Sequence, residues 1–348
     1  MSRLKDIREY VKSCFQRWGK IDRIIRCCCL MCLMSAALVA AAILLCGCGK
    51  DTEDANAPII EQQILVTRDE TITKPEKQDQ QTANEEETED TGNIESAEPE
   101  ILVFRDVFGE EYETAINPDI PSKPFNNDKF IHEGDILRYD DEGYDCKLGI
   151  DVSHHQGNID WKSVKAQGYD FAILRIGYRG YGKEGTLNRD QTFEENYENA
   201  RAAGLSVGVY FFAQAVSEEE AAEEAEFVLG ILNGRDLELP VVYDPESILD
   251  DEARTDDVSG EQFTKNTKEF CRLIKEAGYV PMIYSNMLWE AFELDLEQLS
   301  DIDIWYADYE DVPQTPYDFD FWQYSNTGKV AGVSGEVDLD IWLKPKNE

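Results

Sequence analysis

At 348 residues, with 33 Lys/Arg against 72 Asp/Glu, the chain can hold one large domain plus extensions and carries a formal net charge of −39. That acid excess argues against a phosphate-neutralising surface, so nucleic acid is not an expected ligand. The charge is uneven: residues 1–26 hold eight Lys/Arg and three Asp/Glu, a net of +5, which leaves −44 for everything downstream.

Residues 27–48, CCCLMCLMSAALVAAAILLCGC, are uncharged and long enough to cross the hydrocarbon core of a bilayer as a helix. A basic block before an apolar one reads as an export signal or membrane anchor. Arg23 and Arg26 would keep its N-terminal end cytoplasmic. The long basic leader fits an uncleaved anchor. The ending LCGC before polar residues resembles a lipoprotein processing site, which would leave a lipid on Cys48, and it receives slightly more weight. In both readings residues 1–48 are a signal peptide or transmembrane anchor, and the remainder is extracytoplasmic and held at the cell membrane. Seven of the nine cysteines lie in this leader, leaving Cys146 and Cys271. This is neither a disulfide framework nor a Cys-based metal site; one bridge or two unreactive thiols both stay open.

Residues 49–100 contain 16 acidic and four basic residues and no aromatic, a composition that cannot bury a core and should extend by self-repulsion. They are expected to be a disordered linker. Residues 101–146 regain aromatics among turn formers such as NPDIPSKP and read as a small prelude containing a hairpin. From residue 147 to 348 the pattern becomes regular. Short β-rich apolar runs fall at 148–153, 171–178, 207–213, 240–246, 280–286, 303–309, 320–325 and 335–343. Helical stretches separate the first five, including SEEEAAEEAEFVLGILNG, which opens with a Ser217–Glu220 capping box, and GEQFTKNTKEFCRLIKEAG, which closes on Gly. The expected fold class is α/β: a distorted (β/α) barrel of eight strands with fewer than eight helices. An open doubly wound sheet is the alternative, but no Gly-rich phosphate loop accompanies it.

The run PVVYDPES ends in Asp244, Pro245 and Glu246. Residues i and i+2 of a strand share a face, and Pro245 suits a strand end. Two neighbouring carboxyls perturb each other's ionisation, so a proton donor beside a charged stabiliser is available for glycosidic cleavage. Active sites of such barrels sit at the C-terminal strand ends. Asp151 ends the first strand and Asp338 lies in the eighth, its neighbour on closure, so four acids would rim one cleft. Each interrupts an apolar strand, where an unpaired charge is costly. The bland reading of any single acid among 72, a solvated surface group, is weakened by that position.

Aromatics and amides at equivalent strand ends suit a sugar. Tyr210, Tyr284, Trp305, Tyr309, Trp322 and Tyr324 can stack on pyranose faces, and Gln323 can bond hydroxyl or acetamido groups, although singly most such aromatics are core residues. Arg175 should pair with a barrel acid and support the site. Adjacent His154 and His155 would face opposite ways on a strand and lack a metal-binding partner motif, so no metal site is expected. No G-x-S-x-G nucleophile elbow occurs.

Taken in order, GIDVSHHQGNIDW, FAILRIGYRGYG, NYENARAAGLSVG leading into VYFFAQA, PVVYDPE, GYVPMIYSN, IWYADY, WQYS and VDLD resemble the glycoside hydrolase family 25 lysozymes, over residues 147–343. The resemblance implies hydrolysis of the β-1,4 bond between N-acetylmuramic acid and N-acetylglucosamine in peptidoglycan glycan strands, with no cofactor, by a monomer. It implies Glu246 as general acid and base, Asp244 as stabiliser, and Asp151 and Asp338 as supporting groups. Tyr306 and Asp308 depart from the family pattern, where a smaller residue and a His are frequent, which puts subsite details in question. Two competing expectations are a glycan-binding lipoprotein without turnover and a hydrolase of another acetamido glycan.

Overall fold

The computed structural model describes residues 99–248 and 252–346. The expected anchor at residues 27–48, Cys48 and nearly all of the acidic spacer lie outside the described residues. Among the described residues no helix is long and apolar enough to cross a membrane.

Two hairpins come first. Strands β1 (Ile101–Arg105) and β2 (Glu111–Ala115) pair antiparallel, as do β3 (Phe130–Glu133) and β4 (Ile136–Tyr139). The barrel follows, with β5 (Tyr144–Val152), helix α1 (Trp161–Ala166), β6 (Phe171–Arg179), β7 (Leu187–Arg189), α2 (Phe193–Ala202), β8 (Ser206–Ala213) and α3 (Glu218–Leu232). It continues through β9 (Val241–Pro245), α4 (Gly260–Glu276), β10 (Pro281–Asn286), α5 (Met287–Phe292), β11 (Asp303–Ala307), β12 (Phe321–Gly328) and β13 (Val337–Pro345).

Eight of these strands close in the order β5-β6-β8-β9-β10-β11-β12-β13, with β13 returning to β5 and β7 added beside β6. All neighbours are parallel except β12–β13 and β13–β5; residues 329–336, which join β12 to β13, are too few for the crossover that a parallel return needs. Five α-helices occur among the described residues, so the expected barrel with fewer than eight helices is the fold found.

Local chemistry sets the element ends. The Ser217 side chain accepts from the Glu220 N–H, as a capping box requires, but the Glu220 carboxylate reaches back to the Val216 N–H, one residue earlier than the simple box. Helix α5, which the sequence reading did not separate, starts directly from the end of β10. There the Asn286 side chain accepts from the N–H groups of Leu288 and Trp289, so no loop marks the junction.

Gly149 allows the Phe171 ring to occupy the space a Cβ would need, 2.1 Å from two ring carbons. Phe171 in turn meets Phe321 edge-on at 5.3 Å, and Phe321 stacks on Trp342 at 5.3 Å. Cys146 and Cys271 are both free thiols, and burial raises the pKa of each. The bridge left open by the sequence does not form.

The prelude packs on the barrel beside β11 and β12. Phe130 meets Trp322 edge-on at 5.1 Å, and Phe125 packs at 4.9 Å from Phe319. The Tyr324 hydroxyl donates to the Asp135 carbonyl, and Ser122 forms an antiparallel bridge with Tyr317.

Candidate active site

Asp244 is the penultimate residue of β9 and Pro245 the last, so the strand stops at the proline, which cannot donate to the ladder. Glu246 follows, half-buried, with its carbonyl held by the Gln214 side-chain amide at 2.6 Å. Asp151 is the penultimate residue of β5. Asp338 is the second residue of β13, and because that strand runs backwards its N-terminal end reaches the same mouth of the barrel. Asp151, Asp244, Glu246 and Asp338 line one cavity with Tyr210, Tyr284, Trp305 and Gln323.

A bond chain orients the polar floor of this cavity. The Tyr284 and Tyr309 hydroxyls each donate to Gln323 Oε1 at 2.8 Å, and Gln323 Nε2 donates to Asp151 Oδ2 at 2.8 Å. Burial, then the surrounding acids, push both phenols well above their ordinary range, so both remain donors. Two donors on Oε1 leave Nε2 to face the carboxylate. Tyr284 also packs edge-on against Trp305 at 4.8 Å, which restricts its ring.

Asp340 was not singled out from the sequence. Fully buried, it accepts from the Trp305 indole N–H at 2.9 Å. Burial first, then the Asp151 charge, raise its pKa well above the carboxylate range, which favours its uncharged form beside Asp151. The signal was available: Asp338 and Asp340 are i and i+2 in VDLD and share a strand face, the parity that links Asp244 to Glu246.

Three expected site residues stand apart: Tyr324, whose hydroxyl bonds the Asp135 carbonyl of the prelude, Trp322 and Arg175. Trp322 is 0% exposed and faces the prelude, its indole N–H donating to the Asp308 carbonyl at 2.7 Å. Neighbouring strand residues face opposite ways, so with Gln323 inward Trp322 points out. Arg175 is 2% exposed, and its Nε donates to Asp190 Oδ2 at 2.9 Å. Asp190 also accepts from the His154 backbone N–H at 3.0 Å, and the His154 ring contacts both Asp190 and Arg175. Burial disfavours the Asp190 charge, but Arg175 and hydrogen bonds from Thr192 and His154 outweigh it and hold the carboxyl below its ordinary range. This is an internal ion pair that ties the β5 end to the chain after β7, and Arg175 does not line the acid cavity. Among the described residues no three His, Cys, Asp or Glu side chains form a metal-holding group.

The departures noted in IWYADY have a partner in the structure. The Tyr306 hydroxyl donates to Asp308 Oδ2 at 2.8 Å, and the same oxygen accepts from the Gln314 N–H at 2.8 Å. Asp308 thereby folds the β11–β12 connection onto the end of β11.

Comparison with known proteins agrees with this geometry. The chain is 33% identical to lysozyme M1 of Streptomyces globisporus over 199 residues, 55% of this chain and 65% of that protein. It is 27% identical to the autolytic lysozyme of Clostridium acetobutylicum over 193 residues, 55% of this chain and 54% of that one. It thus spans between half and two thirds of the length of these relatives. Among solved structures, the modular autolysin LytC of Streptococcus pneumoniae, solved with a synthetic peptidoglycan ligand, shares the fold, with a TM-score of 0.50 and 23% identity over 69% of this chain and 56% of that one. The sequence pattern of the glycosyl hydrolases family 25 matches residues 150–333, just over half of the chain, and the chain belongs to that family.

Proposed function

We infer that the protein is a peptidoglycan hydrolase that cleaves the β-1,4 bond between N-acetylmuramic acid and N-acetylglucosamine. The observation that carries this reading is the grouping of Glu246 and Asp244 with Asp151 and Asp338 in one cavity at the barrel mouth. In its support, two of the relatives it matches are lysozymes.

Glu246 donates its proton to the glycosidic oxygen as the C1–O bond breaks. The leaving sugar departs as a neutral alcohol, and positive charge develops at C1 and the ring oxygen. Asp244 stabilises that charge directly or through the substrate's own acetamido oxygen. Glu246, now a carboxylate, takes a proton from the incoming water, whose oxygen bonds to C1 and restores the enzyme. Asp151, bonded to Gln323 and next to Asp340, whose pKa burial raises, is placed to stabilise the developing cation.

The export signal fits this function. Attachment at the membrane through residues 27–48, by lipid on Cys48 or by the apolar segment itself, with an acidic spacer, places the barrel among wall glycan strands. Mass spectrometry of the mature N-terminus tests the attachment: a diacylglyceryl Cys48 supports lipidation, and an intact Met1 end contradicts it.

The activity is tested with the full-length protein on purified peptidoglycan, measuring new reducing ends. Muramic acid ends, lost in Glu246→Gln, are expected. Binding without turnover would overturn the enzyme reading, and N-acetylglucosamine ends alone would overturn the bond assignment.

A further inference from the structure

A second cavity, of about 190 Å³, adjoins the acid cavity. Glu246 and Tyr284 line both, so the two cavities meet at the proposed acid/base residue. Asp151, Asp244 and Asp338 line only the first. The wall of the second that faces the barrel is supplied by Arg105, Asp106, Val107 and Gly109, the end of β1 and the turn that follows. These residues precede the family match, which begins at residue 150.

The turn is held rigidly. Asp106 Oδ1 accepts from the N–H groups of Phe108 and Glu110, both at 2.9 Å, and its Oδ2 accepts from the Tyr112 hydroxyl at 3.1 Å. Gly109 adopts φ +79°, the left-handed conformation such a turn requires. On its inner side Phe104 stacks on Tyr112 at 5.5 Å and packs against Phe292 of α5.

A two-bond clamp fixes it to the barrel. The Arg105 N–H donates to Gln314 Oε1 at 2.8 Å, and Gln314 Nε2 donates to the Arg105 carbonyl at 2.9 Å. Gln314 is itself fastened to Asp308 and through it to Tyr306, the two positions where the chain departs from the family pattern. On the other side of the same loop, Lys123 Nζ donates to the Pro313 carbonyl at 2.8 Å.

What the turn presents is unusual for a rim. Val107 is 43% exposed and Phe108 47%, an apolar tip beside an acid-lined cleft. Among the described residues lining the two cavities, Arg105 is the only base. Its ion pair with Glu111, at 3.3 Å with both side chains more than half exposed, is a weak surface contact that a ligand oxygen can replace.

Given the cleavage reading above, on which this step rests, Glu246 protonates the oxygen of the leaving sugar. The cavity with the stabilising carboxylates therefore takes the sugar that acquires positive charge, and the cavity beyond Glu246 takes the leaving side. We propose that the Arg105–Gly109 turn is a glycan-binding wall that completes the leaving-group side of the cleft. Val107 packs on a pyranose face, and the Arg105 guanidinium donates to its oxygens. A pre-ordered wall of this kind loses little entropy on binding, so its contacts appear as affinity for the polymer.

The test measures affinity of the full-length Glu246→Gln protein for purified, solubilised glycan strands, where turnover does not interfere. Adding Val107→Asp or Arg105→Ala is expected to raise Kd about tenfold with the melting temperature unchanged, a loss of ~1.4 kcal/mol. Ile131→Asp, equally exposed on the other hairpin, is the control and should leave Kd as it was. Unchanged affinity in both turn variants, or an equal loss in the Ile131 control, overturns the proposal. Absence of turnover by the wild type would instead overturn the cleavage reading, and is scored separately from Kd.

Discussion

Asp338 stands directly opposite Asp151 in the antiparallel ladder between β13 and β5. Like charges at directly opposed positions destabilise a sheet pair. Two features offset the cost here. Gln323 Nε2 bonds Asp151, and burial with the Asp151 charge raises the pKa of Asp340, two residues beyond Asp338 on the same face, which favours its uncharged form. The barrel therefore closes along a seam that gathers acids at its mouth, where the proposed cleavage would develop positive charge.

Gln323→Glu would place a further carboxylate against Asp151 while leaving the two tyrosine hydroxyls a partner. The added acid is expected to draw a proton into the group and lower kcat on peptidoglycan by roughly ten- to a hundredfold near pH 7, with partial recovery under more acidic conditions. A pH–rate profile of the reducing-end assay checks this. An unshifted profile would show that the Gln323 amide does not tune Asp151.

The raised pKa of Asp340 favours its protonated form, so Asp340→Asn is expected to preserve a donor toward Asp151 and an acceptor for the Trp305 indole. Asp340→Leu leaves that buried N–H unpaired and should cost ~1–3 kcal/mol of stability. Urea unfolding of the two variants at pH 7 is expected to separate them, with Asn at or above the wild type.

Glu290 gives a pH signature away from the cleft. Burial first, and then the Asp308 charge, push its carboxyl up to about 8, against the bond from Thr315 and the Lys123 charge. Between its ordinary 4.5 and 8 the folded chain holds a proton that the unfolded chain has lost. The contribution is thus fully present below pH 4.5 and is lost as pH rises through 8. Glu290→Gln removes that slope, so the variant should gain on the wild type by on the order of 3 kcal/mol between pH 5 and 8. Melting temperatures at the two pH values measure it, and parallel curves would contradict it.

Gly149→Ala puts a methyl group into the Phe171 ring, a contact of 2.1 Å before any relaxation. Overpacking at a closed barrel layer should destabilise by ~1–3 kcal/mol. The shift in urea midpoint reports it, and a neutral result would mean that the Phe171–Phe321 pair re-orients freely.

The strands were legible because barrel strands buried on both faces read as short apolar runs, and the acids interrupting them stood out. The direction of β13 was not legible, since the residues of VDLDIWL read alike whichever way the strand runs. Trp322 was misplaced by treating WQYS as one surface, when alternation sends Trp322 and Gln323 to opposite sides. Arg105, Asp308 and Gln314 were invisible as a group because their contact spans some two hundred positions, and no local pattern records a clamp between a hairpin and a distant loop.

The seam between β13 and β5 runs through eight paired positions, from Asp338–Asp151 to Pro345–Tyr144. A cut ahead of Val337 would leave the closing strand, with Asp338 and Asp340, held only by hydrogen bonds and packing. Damage there would threaten the closure of the barrel and the acids at its mouth together.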